Sequence, residues 1–450
     1  MSIQFHSTNR NSPSVNVKGA LLKGHAPDRG LYMPDEFPQL SKETIASFRE
    51  KSYPEIALEV LWQYFDGVIE KDTLRALCED AYNYDVPLEP VHDRVHVMRL
   101  ARGPTASFKD FAARMMARLI GRFLREDNSE LLILTATSGD TGSAVASAFR
   151  GVERTQVLVL FPIDEVSDRQ RKQMTTLGEN IRSIAVTGKF DDCQALVKQA
   201  FADSALDDLS LSSANSINIG RLLPQSVYYF YAASRIAEAG EPVVITVPSG
   251  NFGNMMGAVI ASKMGLPLKR LVVPVNENDE FPVFLESGDY RKIEPSRACI
   301  SNAMNVGHPS NLARLVAVYG GWLDETGKIR EAPDIDAMRR DLFSTAISDR
   351  TTRETIDDAW KTHKLLLEPH GAVGWCGFQD YAAEHPLDGA PAVIVETAHP
   401  AKFPDEIEKA IGQTPETPES LARLDTLAED FDRLDVDYDA FKSYLRARYG

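Results

Sequence analysis

The sequence predicts an α/β protein with mainly parallel sheets, preceded by a small, mostly helical N-terminal domain. Three observations carry this. From about residue 95, short apolar runs alternate with amphipathic stripes of helical spacing, the pattern of βαβ units whose strands are buried on both faces. The first ninety-odd residues lack that alternation and hold two helical patterns instead. The composition, 43% hydrophobic and 25% charged over 450 residues, is that of a globular chain with apolar material for more than one core.

Taken in order, the chain opens with a loop-rich stretch that carries turn chemistry at Asp28-Arg29-Gly30 and Pro34-Asp35. Pro54 is placed for the first turn of a helix bearing Ile56, Val60, Leu61 and Tyr64. Leu74, Leu77, Cys78 and Ala81 mark the face of a second helix. The stretch Asp85-Val86-Pro87-Leu88-Glu89-Pro90 cannot remain helical and reads as a linker, so the N-terminal domain is expected to span residues 1–92. Apolar runs at 131–136, 156–161, 181–186, 243–247, 270–275 and 392–396 predict buried strands. Phe111, Met115, Leu119 and Phe123, and later Leu222, Tyr229 and Ile236, predict helices between them. These units fill a region expected over 93–412. The acidic tail, 413–450, carries Leu424, Leu427, Phe431 and Leu434 at helical spacing and predicts a surface helix.

Several functions are excluded. A net charge of −16 gives no basic face for nucleic acid. The apolar runs fall far short of the roughly 20 residues that span a bilayer, so no membrane partner is expected. The opening Met1-Ser2-Ile3-Gln4-Phe5-His6 has neither a basic nor an apolar leader region. Four cysteines without a CxxC pair predict no disulfide framework, no metal site and a reducing, cytoplasmic location.

Three loops at strand ends concentrate the chemistry. In Val247-Pro248-Ser249-Gly250-Asn251-Phe252-Gly253-Asn254, a β-branched strand runs through glycines into a helix. Glycines there allow positive φ and turn amides toward one point, and a helix start favours phosphate. In Thr135-Ala136-Thr137-Ser138-Gly139-Asp140-Thr141-Gly142, hydroxyls crowd another helix start, where they serve either as caps or as donors to an anion. In Gly103-Pro104-Thr105-Ala106-Ser107-Phe108-Lys109-Asp110-Phe111, a lysine stands in the first turn of a helix between two phenylalanines. A cation is unfavourable at that end, which lowers the amine's pKa and suits it to Schiff-base chemistry.

Together with Asn215–Gln225 (NSINIGRLLPQ), Glu368–Gly374 (EPHGAVG) and Glu396–Phe403 (ETAHPAKF), these motifs stand in the order and at about the spacing of the threonine synthase family. The resemblance runs from about Lys23 to residue 412. It implies two three-layer, parallel-sheet subdomains of the tryptophan synthase β-like fold, type II among pyridoxal-phosphate enzymes. It also implies pyridoxal 5'-phosphate as cofactor, held covalently by Lys109, with the cofactor phosphate in the loop Ser249, Gly250, Asn251, Phe252, Gly253 and Asn254. Thr397 would face the pyridine nitrogen with a neutral hydroxyl, making the ring a milder electron sink. Thr137, Ser138, Gly139, Asp140 and Thr141 would receive the substrate carboxylate, and Asn215, Ser216, Asn218 and Arg221 its phosphate.

The implied reaction takes O-phospho-L-homoserine and water to L-threonine and phosphate, in a monomer or homodimer. The alternative is a lyase that releases 2-oxobutanoate, phosphate and ammonia. Ala101-Arg102 and Ala106-Ser107 depart from the family pattern and are expected to alter how the cofactor's ring is covered.

Overall fold

The computed structural model describes residues 2–450. Its first strands, β1 (Gln4–Ser7), β2 (Val15–Asn16) and β3 (Tyr32–Pro34), make a small antiparallel sheet in the order β2-β1-β3. Helices Tyr53–Phe65 and Lys71–Ala81 follow as expected. The first has Pro54 in its opening turn and a reciprocal cap between Ser52 and Glu55.

The expected linker is instead β4 (Leu88–His92), paired antiparallel with β5 (Val95–Arg99). Pro90 is tolerated because β4 is an edge strand, with a register shift beside the proline. The next strands are β6 (Leu131–Ala136), β7 (Thr155–Pro162), β8 (Ile181–Val186), β9 (Leu211–Ser213), β10 (Val243–Thr246) and β11 (Leu268–Val272). After a short hairpin of β12 (Trp322–Leu323) and β13 (Ile329–Glu331) come β14 (Leu342–Phe343), β15 (Ala392–Glu396) and β16 (Asp432–Leu434).

Two sheets carry the molecule. The larger, ordered β14-β11-β10-β15-β5-β4, is parallel except at β4. The smaller, ordered β16-β8-β7-β6-β9, is wholly parallel. Alternate residues of each strand enter separate cores: Ile133 and Val157 pack on one face of the smaller sheet, Leu134 and Leu158 on the other. Val243 and Ile245 face the core shared with the N-terminal helices, while Val244 and Ile394 face helices Asp349–His363 and Pro369–Glu384. Burial on both faces explains why these strands read as continuous apolar runs.

Two segments differ from expectation. Residues 222–236 hold a 3-10 turn, Pro224–Ser226, preceded by another at Ile219–Arg221, and the helix starts only at Val227, because Pro224 has no N–H to donate. The tail is not one surface helix. Glu429 pairs with Arg171, and Asp430 N donates to Thr175 O at 2.7 Å, which turns the chain out of any helical path. It then supplies β16 and a last helix, Tyr438–Tyr449, whose Phe441 and Leu445 are fully buried. All four cysteines are free and buried. No described helix is long and apolar enough to cross a membrane.

Candidate active site

The carboxyl ends of β6, β10 and β15 converge on one cavity, as parallel sheets dispose their ligand sites. Lys109 is the first residue of helix Lys109–Asp127. The preceding loop is zipped to the end of β15. Phe108 N donates to Thr397 O at 2.8 Å, His399 N to Ala106 O at 3.0 Å, and Ser107 bridges Ala398. This registers Lys109 against Thr397, and both line the cavity. The lysine amine has no hydrogen-bonding partner among the described residues and rests over the Phe108 ring. Burial pulls its pKa down to about 8, against the opposing pull of Asp140.

The loop after β10 lines the cavity from Ser249 to Asn254. The positive φ expected of its glycines falls instead on Phe252, at 61°. The glycines are needed for close approach. A Cβ on Gly250 would lie 2.7 Å from Met304 Cα, and one on Gly253 2.8 Å from Ser216 Cβ. Asn254 Oδ1 accepts from the hydroxyls of Tyr228 and Tyr229, which leaves its buried Nδ2 donor unpartnered. A narrow cradle at a helix start, with a free amide donor and no carboxylate, fits the phosphate of pyridoxal phosphate.

The turn after β6 divides its work. Thr137 Oγ1 accepts from Gly139 N and Gly142 N at 2.9 and 2.8 Å and so fixes the turn. Gly139 needs its φ of 129°, and a Cβ there would strike the Gln170 carboxamide. Asp140 is tied up: Lys402 Nζ lies 2.6 Å from its Oδ1, and Gln170 Nε2 donates to the same oxygen at 3.0 Å. Burial opposes ionisation of Asp140, but Lys402, Lys109 and His370 outweigh it and hold the carboxyl well below its usual range. Ser138 and Thr141 line the cavity with hydroxyls that bond to no other side chain.

Of the four residues expected at a substrate phosphate, three line the cavity: Asn215, Ser216 and Arg221. Asn218 does not. Its amide donates to Leu21 O and Ser213 O and its oxygen accepts from Gly220 N, so it is spent on the fold. Arg221 belongs to a buried 3-10 turn rather than a helix start. One guanidinium nitrogen donates to Ala214 O at 2.8 Å, and the buried Nε has no partner. Burial draws its pKa down to about 10.

The departures Ala101, Arg102, Ala106 and Ser107 do not line this cavity, contrary to expectation. Ala106 packs under Leu421 and Leu424 of the tail.

Several residues here went unassigned in the sequence. His370 lines the cavity, with Nδ1 bonded to Glu368 at 2.6 Å and Nε2 accepting from Ala303 N at 3.1 Å. Lys402 is 1% exposed. Both lie inside motifs quoted above, which was the available signal; Gln170 and Asn311 gave none. A larger cavity, of about 650 Å³ between His25, Phe201 and His308, contains no residue assigned to substrate or cofactor.

Comparison with known proteins agrees with this geometry. Residues 4–82 match the family described as threonine synthase N terminus, 86–398 that of pyridoxal-phosphate dependent enzymes, and 371–445 that of threonine synthase, C-terminal. A threonine synthase of Haemophilus influenzae is 39% identical over 435 residues, covering 96% of both chains. The crystal structure of PLP-bound threonine synthase from Brucella melitensis superposes with a TM-score of 0.91 at 36% identity, covering 100% of both chains. That of Escherichia coli threonine synthase gives 0.89 at 33% identity over 99% of each. By these full-length likenesses, the chain belongs to the threonine synthase family of pyridoxal-phosphate-dependent enzymes.

Proposed function

We propose that the cavity binds pyridoxal 5'-phosphate on Lys109 and converts O-phospho-L-homoserine and water to L-threonine and phosphate. The observation that carries this is the Lys109 amine, unpartnered, with a pKa near 8, and flanked by two unsatisfied donors to anions, Asn254 Nδ2 and Arg221 Nε. When bound, the cofactor supplies an electron sink for carbons next to the substrate's amino group.

The chain's own residues do the rest. The loop Ser249–Asn254 would hold the cofactor phosphate, and Thr397, which also lines the cavity, would offer a neutral hydroxyl to the pyridine nitrogen. Ser138 and Thr141, helped by the amides of the Thr137–Thr141 turn, orient the substrate carboxylate. Arg221, with Asn215 and Ser216, grips the substrate phosphate and stabilises it as it leaves. Lys109 would hold the cofactor and, when its amine is free, move protons at the α and β carbons; a pKa near 8 lets it both take and return a proton at neutral pH. Free cysteines suit a reducing cytoplasm, and the chain works there as a monomer or homodimer.

Product analysis of the holoenzyme with O-phospho-L-homoserine tests this reading. L-threonine and phosphate in equal amounts are expected. Ammonia and 2-oxobutanoate in place of threonine would identify a lyase, and no phosphate release would end both readings.

A further inference from the structure

Arg314 lies behind the phosphate cradle and is 0% exposed. Its guanidinium is satisfied entirely by neutral oxygens. Nε donates to Tyr32 O at 3.1 Å, one terminal nitrogen to Ser216 O at 2.9 Å and Asn311 Oδ1 at 2.6 Å, and the other to Ile217 O at 2.6 Å. No carboxylate pairs with it among the described residues, and burial alone draws its pKa down to about 9. A buried cation without a counter-charge is costly and rarely kept unless an anion completes it.

The groups it holds are those that shape the cradle. Asn311 Nδ2 donates to Asn251 O at 2.8 Å and to Ser216 Oγ at 3.1 Å. Asn251 Nδ2 donates to the same Ser216 Oγ at 3.0 Å, and its Oδ1 accepts from Ser310 N at 2.6 Å. Gly253 is packed against Ser216 so closely that no Cβ fits. The cradle Val247–Asn254 itself contains no lysine, arginine or histidine. A phosphate there meets the neutral donors of the loop at its surface, and a single side chain behind them lies the uncompensated charge of Arg314.

We propose that Arg314 is a positioning residue for the cofactor phosphate: it fixes Ser216 and Asn311 against the cradle and provides the counter-charge that the loop lacks. Four of its five N–H donors are already engaged, so it works through its field and through Asn311 rather than by touching the phosphate. Its bond to Tyr32 O ties the same charge to β3, so the N-terminal sheet holds one side of the cradle's support. The inference rests on the cradle assignment made above.

The test is the ratio of dissociation constants for pyridoxal and pyridoxal 5'-phosphate, measured by titrating the full-length protein freed of cofactor. Both ligands form the same bond to Lys109, so the ratio isolates the phosphate. Arg314→Met and Arg314→Gln should lower the ratio roughly tenfold, the size expected of one partly screened charge a few ångströms behind the site. Arg314→Lys keeps the charge and should stay within about threefold of the unaltered protein. Asn311→Ala, which cuts the link to Asn251 while sparing the charge, should lower the ratio by about threefold, and it keeps the question answerable if neither neutral variant folds.

A merely structural arginine weakens both ligands together and leaves the ratio unchanged in every variant; that result overturns the proposal. Gly250→Val separates the two failures. If it too leaves the ratio unchanged, the phosphate lies elsewhere and the cradle assignment falls with the proposal.

Discussion

Lys109 occupies the helix position least hospitable to a positive charge, inside a cavity that also holds Arg221. Its folded pKa near 8 lies below the value of an ordinary lysine, so the protonated form is the one the fold disfavours. Capture of added pyridoxal phosphate by cofactor-free protein needs the unprotonated amine. Its rate should therefore climb about tenfold per pH unit below pH 8 and flatten above. Stopped-flow absorbance follows it, and a profile still rising at pH 10 would mean an unperturbed lysine. Arg221→Ala should raise the KM for O-phospho-L-homoserine by one to two orders of magnitude, from the loss of about 1.5–3 kcal/mol in a charge-assisted contact, and leave cofactor affinity unchanged. Weaker cofactor binding at an unchanged KM would reassign the arginine to the cofactor. At this scale the meeting of Lys109 and the loop after β10 in one cavity was legible, because both stand beyond strand ends, where parallel sheets gather their sites. Asn218 and Arg314 were not: one polar residue in a motif reads like another until its partners are known, and a buried arginine bonded to carbonyls leaves no periodic trace.

Short stretches that cross between the two sheets decide whether the cavity holds together. Lys402, on the 3-10 turn Pro400–Lys402 after β15, pairs with Asp140 at the end of the β6 turn, and both are buried. It also donates to Thr105 O at 3.1 Å, in the loop that leads to Lys109. Removing one partner of such a pair strands a buried charge. Lys402→Met should cost about 3–5 kcal/mol in chemical denaturation, and adding Asp140→Asn should recover much of it. A loss confined to a few tenths would show the pair to be wetter than its burial suggests. The strands at 131–136, 181–186 and 392–396 were legible to the residue, since burial on both faces leaves an uninterrupted apolar run. β4 and β16 were not. Each is an edge strand, short or interrupted by proline, and its apolar residues are too few to show a period of two.

For the molecule as a whole, a net charge of −16 opposes approach of a phosphorylated substrate, while the cavity gathers Lys109 and Arg221 with Lys402 beside it. Long-range repulsion is screened by salt, whereas contacts in a closed site are screened far less. kcat/KM should rise between about 10 and 150 mM ionic strength, over which the Debye length falls from about 30 to 8 Å. A fall over that range would show that local cations, not the net charge, govern encounter. Fold class was legible because alternation of strand and helix survives averaging over many units. How the units meet was not, since β5 pairs with β15 across almost 300 residues and no local pattern records that.

That pairing bears on how the protein comes into being. β6 to β9 lie within residues 131–213 and leave the ribosome as one continuous stretch able to collapse at once. β5 emerges before them but must wait for β15, which arrives when most of the chain has been made. Until then the loop bearing Lys109 has no Thr397 or Ala398 to lie against, and Asp140 has no Lys402. The cavity that Lys109 lines is therefore incomplete through nearly all of the chain's synthesis. The cavity closes only once the final seventh of the polypeptide, from β15 onward, has found its place.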